Sequence, residues 1–361
     1  MFLSNCELKI SLAAVIQNWQ SLAAYSFPAT CSAVVKANAY GLGSLEVARA
    51  LYGVGCRDFF VASIDEAAQL RSLPFLDLRI YVLGGVFPGE ERRCIDLSAI
   101  PVLCSLQMLR RWADVSEGCS ESVLKVDTGM SRLGLPESEL SLLCTDSGLL
   151  AQAGVGMVMS HLACADESSH PLNFLQLQRF NLVRARLLSV SPFLRFSLAN
   201  SAAITLSPDY HFDLVRPGIA IYGGMSSHTD LKLRSVVGLS LPVIQRRRVE
   251  AGESVGYGAV DKFDSPRELL VVAGGYADGF FRSMSGRLSA YSGGFKLPLV
   301  GRISMDTMIF DSTLLGGVAA SVVELELLGE SQGVRELAEA ADTISYEVLT
   351  SLGGRIRRVY Q

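Results

Sequence analysis

The sequence of 361 residues carries a formal net charge of −4 at pH 7, and its charged residues are spread along the whole chain. This distribution argues against the concentrated positive face that nucleic-acid or membrane-surface binding requires. Hydrophobic residues make up 49% of the chain, enough to bury a sizeable core. No apolar run reaches the roughly 18 residues of a membrane span, so we expect no such segment.

The cysteines and the start of the chain indicate a cytoplasmic protein. The eight cysteines contain no C-x-x-C pair and lie mostly in apolar surroundings, as small core residues do in a reducing compartment. We therefore expect no metal site. Glu7 and Lys9 precede a helical pattern near the start, which differs from the basic-then-apolar order of a signal peptide.

Eight short apolar segments alternate with amphipathic helical patterns over the first part of the chain. The segments are 31–35, 59–63, 79–84, 100–105, 122–126, 155–160, 194–199 and 212–222. Buried strands that alternate with helices are typical of parallel βαβ units, and eight such units predict a closed (β/α)8 TIM-like barrel. A doubly wound sheet is the alternative, but no G-x-G-x-x-G follows the first strand.

After about residue 230 the pattern changes to short alternating strands separated by glycines. The segment 235–258 alternates and turns at Ala251-Gly252, which is typical of an antiparallel hairpin. The sequence therefore predicts an α/β protein with two domains. A barrel spans residues 1–230, and a C-terminal mainly β domain spans 231–361, with the first few residues as candidates for the β domain.

Polar residues follow the predicted barrel strands at their carboxyl ends, where barrel enzymes place their chemistry. Each has an ordinary alternative when taken singly: Asp65 could cap a helix, His161 could be a satisfied core histidine, and one lysine is usually solvated. In a barrel, however, all of them face one mouth. The set is Lys36, Asp65, Lys125, Asp127, Arg132, His161, Asn200, Ser201 and Arg216.

The last two barrel segments offer a phosphate site. "ANSAA" and "PGIAIYGG" supply small residues, backbone N–H groups and a hydroxyl, and barrels commonly hold phosphate near strands seven and eight. Lys36 at the first strand and Tyr40 on its loop face this region. The combination suits pyridoxal 5'-phosphate, whose aldehyde forms a Schiff base with lysine. A sugar-phosphate enzyme with a Schiff-base lysine shares both features, and spacing alone does not separate the two.

Eight motifs in order resemble the alanine racemase family. They are "AVVKANAYGLG", "KVDTGMSRLG", "GMVMSHLACADE", "LANSAA", "VRPGIAIYGG", "GESVGYGA", "GYADGF" and "GRISMDTMIFD", and they run from the first barrel strand into the second domain. The resemblance implies a cofactor-binding barrel of fold type III, a C-terminal β domain and a head-to-tail homodimer whose active sites are completed across the interface. It also implies interconversion of L- and D-alanine, which supplies D-alanine for peptidoglycan.

The resemblance assigns roles to individual residues. Lys36 is the Schiff-base lysine, and Tyr257, contributed by the partner subunit, faces the other side of the cofactor. The remaining cofactor-binding residues are Tyr40, Ser201, Gly218 and Ile219 at the phosphate, Arg216 at the pyridine nitrogen, and His161 and Asn200 nearby. The substrate-binding residues are Arg132 at the carboxylate, Lys125 beside it (carbamylated in many relatives), Met305 and Asp306 from the partner, and Tyr276 at the entrance.

These roles agree with the chemistry of racemisation, which removes a proton from one face of Cα and returns it on the other. Lys36 serves one face and Tyr257 the other. A free phenol is a weak base because its ordinary pKa is about 10, so we expect a cationic Arg216–His161 pair to stabilise its anion. A charged arginine keeps the pyridine nitrogen largely unprotonated. This weakens the electron sink and separates the chain from decarboxylases of the same fold, which usually offer an acid there.

Two positions depart from the family pattern. Ser197 stands where some relatives have a histidine behind the arginine, and Gly354 stands where some have a second phosphate-contacting tyrosine.

Three other functions remain as alternatives. A broader-specificity racemase is not excluded, whereas a decarboxylase is disfavoured by Arg216. A non-catalytic barrel that binds pyridoxal phosphate is disfavoured because such proteins normally lack the β domain.

Overall fold

A computed structural model describes residues 6–146, 148–225 and 231–361. Strand β1 (Glu7–Ile10) begins the described part of the chain, and a helix over Leu12–Ser26 follows it. The chain then enters a parallel barrel. Its strands are β2 (Thr30–Cys31), β3 (Ala33–Val34), β4 (Asp58–Val61), β5 (Arg79–Val82), β6 (Ala99–Leu103), β7 (Ser122–Lys125), β8 (Val155–Met159), β9 (Arg195–Ser197) and β10 (Leu214–Val215).

The barrel closes through its first and last strands. Strands β3 to β9 form a parallel sheet in chain order, and β10 pairs in parallel with β2. β2 and β3 together form the first barrel strand, which is interrupted at Ser32, whose hydroxyl donates to the Val215 carbonyl at 2.8 Å. A bridge between Asn200 and Arg216 joins the last two barrel strands. The predicted barrel of eight strands is therefore confirmed.

The barrel helices begin directly after the strand ends and leave those ends at one mouth. Ser63 caps the helix after β4 by accepting from the Glu66 amide at 3.3 Å, and Ser105 caps the helix after β6 in the same way from Met108 at 3.1 Å. The barrel helices cover Ser44–Gly53, Ile64–Arg71, Glu91–Asp96, Leu106–Ser116, Glu137–Thr145, Gly148–Gln152 and Pro171–Leu188.

The second sheet is mainly antiparallel, which confirms the predicted β domain. Its order is β14-β17-β16-β15-β18-β11-β1-β19, and β12 and β13 form a separate pair. The strands are β11 (Val237–Val249), β12 (Ser254–Val255), β13 (Asp261–Lys262), β14 (Arg267–Ala273), β15 (Ser289–Ser292), β16 (Phe295–Val300), β17 (Thr307–Asp311), β18 (Glu324–Leu328) and β19 (Arg357–Tyr360). Two helices, Val334–Ala341 and Ser345–Ser351, lie between β18 and β19.

The junction between barrel and sheet is built from both ends of the chain. β1 pairs with β11 and β19, so this early strand belongs to the second sheet. The predicted boundary at residue 230 falls next to 226–230, which lie outside the described residues, and the exact division stays a prediction. Buried side chains of both parts form one continuous core. Within the described residues, the helices are too short or too polar to cross a bilayer.

Candidate active site

Lys36 follows β3 at the barrel mouth and begins a single left-handed turn over Lys36–Tyr40. Ala37, Asn38, Ala39 and Tyr40 all have φ between 52° and 56°. For residues with a side chain this conformation costs about 1–2 kcal/mol each, so the surrounding structure must impose it. The turn brings the Tyr40 side chain back to the cavity that Lys36 lines.

Glu66 and Asn38 hold the turn in place. The Glu66 carboxylate accepts from the Ala37 amide at 2.7 Å and from the Ala62 amide at 2.6 Å, which ties the turn to the end of the neighbouring strand. The Asn38 side chain accepts from the Ser44 amide at 2.9 Å. Gly41 leaves the turn with a φ of +84° and packs on the Leu349 carbonyl, where a side chain has no room.

A cavity of about 360 Å³ lies at the carboxyl ends of the barrel strands and collects most of the predicted site residues. Its position is where a barrel enzyme carries its chemistry. The predicted residues that line it are Lys36, Tyr40, Lys125, Arg132, His161, Asn200, Ser201, Arg216 and Gly218. Ile219 instead lines an adjacent cavity, although its neighbour Gly218 faces the main one.

The far wall of the cavity is a small cradle around Ser201. The Ser201 hydroxyl accepts from the Gly218 amide at 2.8 Å and from the Ala220 amide at 3.2 Å. A Cβ added to Gly218 would lie 2.3 Å from the Tyr40 hydroxyl, so the cradle depends on the missing side chain. The Tyr40 hydroxyl makes no hydrogen bond within the described residues. The cradle therefore presents a buried hydroxyl group that is still available to a ligand.

Arg216 lines the floor of the cavity and has only neutral partners. Its guanidinium donates to the Ser197 hydroxyl, to the Ser160 carbonyl at 2.6 Å and to the Leu198 carbonyl at 3.2 Å. Burial lowers the pKa of Arg216 to about 9, which still leaves it charged at neutral pH. Ser197 also donates to the Leu214 carbonyl at 2.6 Å. The serine that departs from the family pattern thus completes a short but closed network.

The cavity is strongly cationic. Burial, followed by the nearby Arg132, lowers the pKa of Lys36, and Glu66 opposes the shift. Burial also lowers the pKa of Lys125, as do Arg216, Arg132 and Lys36, whereas Cys104 raises it. Lys125 is 6% exposed, and its Nζ has no hydrogen bond or ion pair within the described residues. No Asp or Glu lies among the described residues that line the cavity, so the site suits an anionic ligand.

His161 is a neutral group in this site, which corrects one expectation. Burial, with the adjacent charge of Arg216 and then of the other cations, lowers the pKa of His161 to about 3. The predicted cationic Arg216–His161 pair is therefore wrong for this chain as described. The positive charge beside the site comes from Arg216, and His161 contributes only a neutral ring.

Arg132 stands at the cavity mouth on a loop that Asp127 orders. The Asp127 carboxylate accepts from the Gly129, Met130 and Ser131 amides at 2.9–3.2 Å. Arg132 itself is exposed and makes no hydrogen bond or ion pair with the described residues. Its guanidinium is therefore free to bind a carboxylate bidentately. Asp127 supports this loop and does not line the cavity.

Asp65 does not belong to the site. It lies in the first turn of the helix Ile64–Arg71 and pairs with Arg93 at 2.6 Å on the surface. The residue that acts at this strand end is its neighbour Glu66, which sequence reasoning missed. Groups of three or more His, Cys, Asp or Glu side chains that could hold a metal are absent from the described part of the chain.

The four predicted residues of the second domain do not line the cavity of their own chain. Tyr257 is 66% exposed, Met305 52% and Tyr276 44%, and Asp306 is exposed as well. Tyr276 and Met305 lie on adjoining loops, because the Tyr276 amide donates to the Ser304 carbonyl and the Ala277 amide to Met305 at 3.1 Å each. These residues face outward on the described chain.

Tyr346 is the tyrosine that the sequence analysis missed. It lines the cavity, and its ring centroid lies 5.7 Å from that of Tyr40. Gly354, which the resemblance places where some relatives have a second phosphate-contacting tyrosine, lies in an exposed turn with open space around it. The second tyrosine at the cavity is Tyr346 instead. The sequence feature that could have indicated Tyr346 is "ISYEV", in which the tyrosine lies at the start of a short helix.

Comparison with known proteins agrees with this geometry. Residues 10–226 match the family described as alanine racemase, N-terminal domain, and residues 236–360 match alanine racemase, C-terminal domain. Alanine racemase of Rhodospirillum rubrum is 44% identical over 359 residues, covering 98% of this chain and 95% of the relative. Alanine racemase of Rhizobium meliloti is 43% identical over 375 residues, covering 99% and 98%.

Solved structures give the same result. The crystal structure of alanine racemase from Bartonella henselae with covalently bound pyridoxal phosphate superposes with a TM-score of 0.92 at 38% identity, covering 99% of each chain. Biosynthetic alanine racemase from Pseudomonas aeruginosa gives a TM-score of 0.90 at 34% identity, again covering 99% of each chain. Both domains match in one continuous alignment, and the chain therefore belongs to the alanine racemase family.

Proposed function

We propose that this protein is an alanine racemase, which uses pyridoxal 5'-phosphate to interconvert L- and D-alanine with two bases. The observation that carries the proposal is one cationic cavity in which Lys36 faces the Ser201–Gly218 cradle above a buried Arg216 that has no acidic partner. The barrel would hold the cofactor, and the second domain, divided from it at residue 230, would complete a neighbouring site.

The residues present fit the cofactor. The cradle offers the Tyr40 hydroxyl and a glycine surface where a phosphate needs close approach. Cations without a neighbouring acid favour a phosphate dianion. Lys36 supplies the amine that would hold the aldehyde, and Arg216 would hold the ring nitrogen. When bound, pyridoxal phosphate withdraws electrons from the alanine Cα and makes its proton acidic enough to remove.

Lys36 has the properties of a base on one face of the substrate. Burial and the Arg132 charge lower the pKa of its amine, which increases the fraction of free amine at neutral pH. A base whose pKa lies closer to the working pH transfers protons more efficiently. Once the substrate amine has displaced Lys36 from the aldehyde, Lys36 Nζ would accept a proton from Cα on one face and return it in the reverse reaction.

Tyr257 of the partner subunit would serve the other face. On its own chain Tyr257 is 66% exposed and lies outside the cavity. A second copy of the chain, docked head to tail, would bring this phenol, Met305 and Asp306 to the mouth of the first barrel. The proposal thus includes a homodimer with two shared sites. The charged group of the barrel that this phenol would approach is Arg216, since His161 is neutral.

Arg216 favours racemisation over other reactions of the same cofactor. It has three neutral acceptors and remains charged at neutral pH. Arg216 would disfavour protonation of the ring nitrogen of a bound cofactor, because two positive charges repel. The cofactor would then supply a weaker electron sink, which suits removal and return of a proton more than loss of a carboxylate. This favours a racemase over a decarboxylase.

Arg132 would hold the substrate carboxylate, and Lys125 beside it would position Arg132. Arg132 is an unpaired cation at the mouth, and Lys125 is buried beside it with a lowered pKa. The lowered pKa increases the fraction of free amine, which is the form that adds to carbon dioxide with loss of one proton. The resulting carbamate is an anion that Arg132 attracts. We propose this modification for Lys125. We also propose a cytoplasmic role in supplying D-alanine for peptidoglycan, in keeping with eight unpaired cysteines, five of them buried.

The test is a chiral assay of the purified protein with pyridoxal phosphate and each amino acid in turn. We expect L- and D-alanine to interconvert, and a retained pure L form would refute the proposal. Borohydride reduction should attach the cofactor to the Lys36 peptide, and Lys36→Ala should abolish both label and activity. Tyr257→Phe should block proton removal from L-alanine far more than from D-alanine. Equal losses in both directions would contradict the two-base assignment.

A further inference from the structure

We propose that Arg355 is a positioning residue that fixes the Met305–Asp306 loop, so that this loop is preformed for the active site of the partner subunit. The inference rests on the shared sites of the proposed function. Arg355 lies just before β19, far along the chain from the loops that it joins, and no motif of the sequence analysis includes it. It would act in trans, on the active site of the partner subunit's barrel and not on that of its own barrel.

The guanidinium of Arg355 joins two carboxylates from different loops. Its Nε and Nη2 bind Asp278 Oδ1 and Oδ2 at 2.8 and 2.9 Å, a bidentate pair. Its Nη1 binds Asp306 Oδ1 at 2.8 Å. Three of the guanidinium N–H groups are thus used in one plane. This fork geometry is specific to arginine, since a lysine ammonium offers no parallel pair of donors.

Asp278 gives the network a rigid base. Its side chain is fully buried, and its Oδ2 also accepts from the Gly275 amide at 3.0 Å. The Gly353 amide donates to the Asp278 carbonyl at 3.0 Å. Asp278 therefore fixes the position of Arg355. The hydrogen bond from Arg355 Nη1 then restrains Asp306, whose side chain is 58% exposed.

The loop that Arg355 reaches carries the residues predicted to face the partner. A Cβ at Gly275 would lie 2.2 Å from the Ser304 carbonyl oxygen and 2.5 Å from that of Met305, so the two loops are in direct backbone contact. Tyr276, Met305 and Asp306 consequently form one surface with a common support. Removing Arg355 would release Asp306 and leave the exposed part of the loop without its side-chain anchor.

The expected kinetic effect follows from this location. The loop would contact substrate and not the proton-transferring atoms, so Arg355→Met should raise KM for alanine more than it lowers kcat. Misplacing a binding group by an ångström can cost about a hundredfold in efficiency, and we expect a loss of roughly ten- to a hundredfold. Arg355→Lys keeps the charge near Asp278 but loses the fork, and it should show the same KM effect with near-native thermal stability.

The decisive experiment uses mixed dimers, co-expressed with two different affinity tags and purified through both. In a dimer of one Lys36→Ala chain and one Arg355→Met chain, one site combines an intact Lys36 with an intact Arg355. The other site carries both lesions. We expect about half the native kcat per dimer with the native KM, because only the intact site turns over.

Two controls make the outcome decisive. A mixed dimer of Lys36→Ala with Tyr257→Phe should regain activity in the same way if sites are shared. Arg132 lines the cavity of its own barrel. A mixed dimer of Lys36→Ala with Arg132→Met should therefore keep whatever defect Arg132→Met shows alone. Arg132 thus serves as an arginine that acts in cis.

The possible results separate the two proposals. If the Tyr257 control recovers and the Arg355 mixture keeps the raised KM, Arg355 does not act in trans and the inference is overturned, while the proposed function stands. If the Tyr257 control also fails, the shared sites are refuted and the inference falls with them. An unchanged KM in both Arg355→Met and Arg355→Lys homodimers would also overturn it.

Discussion

Gly218→Ala tests whether the Ser201 cradle holds the phosphate. The φ of Gly218 lies outside the left-handed region, so an alanine can adopt the backbone and only space opposes it. The added Cβ would lie 2.3 Å from the Tyr40 hydroxyl, 3.1 Å from its Cζ and 3.3 Å from the Val34 side chain. Contacts below 3.0 Å require that something moves, and the group that can move is the Tyr40 phenol.

The cost should appear in cofactor binding and not in folding. Without cofactor, Tyr40 can swing into the open cavity. With a phosphate in the cradle it cannot, because the phosphate fills that space, and Tyr222 and Tyr346 already flank the ring at centroid distances of 4.9 and 5.7 Å. Overpacking by one methyl group typically costs about 1–3 kcal/mol. On the affinity scale this corresponds to about five- to 150-fold weaker binding of pyridoxal phosphate.

The measurement is a titration of the apoenzyme with pyridoxal phosphate, followed by absorbance, together with urea unfolding of the apoenzyme. Gly53→Ala is the matched control, since a Cβ there meets nothing within 4 Å. We expect its affinity to equal that of the native chain. An unchanged affinity of Gly218→Ala, or an equal loss in both variants, would refute the cradle as the phosphate site.

Three other predictions concern the polar network. The pKa of His161 is lowered to about 3 in the folded chain, whereas the unfolded chain binds that proton near 6.5. The free energy of unfolding of the apoenzyme should therefore fall as pH drops below about 6.5. His161→Gln should flatten that part of the pH profile, measured by urea unfolding. Ser197→Ala leaves the Leu214 carbonyl and one Arg216 N–H unpaired, and urea unfolding should show a loss of about 1–3 kcal/mol, whereas Ser289→Ala, which removes no hydrogen bond to the described residues, should cost less. With ¹³C-bicarbonate the protein should give a carbamate NMR signal that Lys125→Met lacks; its presence in the variant would contradict the assignment to Lys125.

The sequence predicted the barrel and its polar mouth because both follow from simple periodicity. Parallel strands place their carboxyl ends on one side, so Lys36, His161 and Arg216 had to converge once the strands were identified. The same rule failed at Asp65. Two adjacent acids follow β4, and periodicity does not say which one turns toward the neighbouring loop. Glu66 does, because its longer side chain reaches the Ala37 and Ala62 amides.

The conformation of the Lys36 turn was beyond sequence reasoning. Alanines and an asparagine favour a right-handed helix or a loop, and nothing local demands four positive φ angles. The turn exists because Glu66 and Asn38 bind its amides and the following helix. Tyr346 was missed for a related reason. It lies in the second domain, some 300 residues along the chain from the Tyr40 ring that it flanks, and no short motif joins them.

The distribution of charge supports the proposed pairing of two chains. The barrel concentrates two lysines and two arginines around the cavity without an acid among the described lining residues, although the whole chain is net negative. Such a site suits an anion, and in the proposed function Lys36 would accept a proton on one face of the substrate. A racemase needs a second acceptor on the opposite face. Tyr257 is exposed and outside the cavity of its own chain, so under the proposal it would serve the cavity of a second copy. Assembly would then be part of the catalytic requirement, and Arg355, through the loop that it binds, would affect catalysis in the partner subunit without approaching the cavity of its own chain.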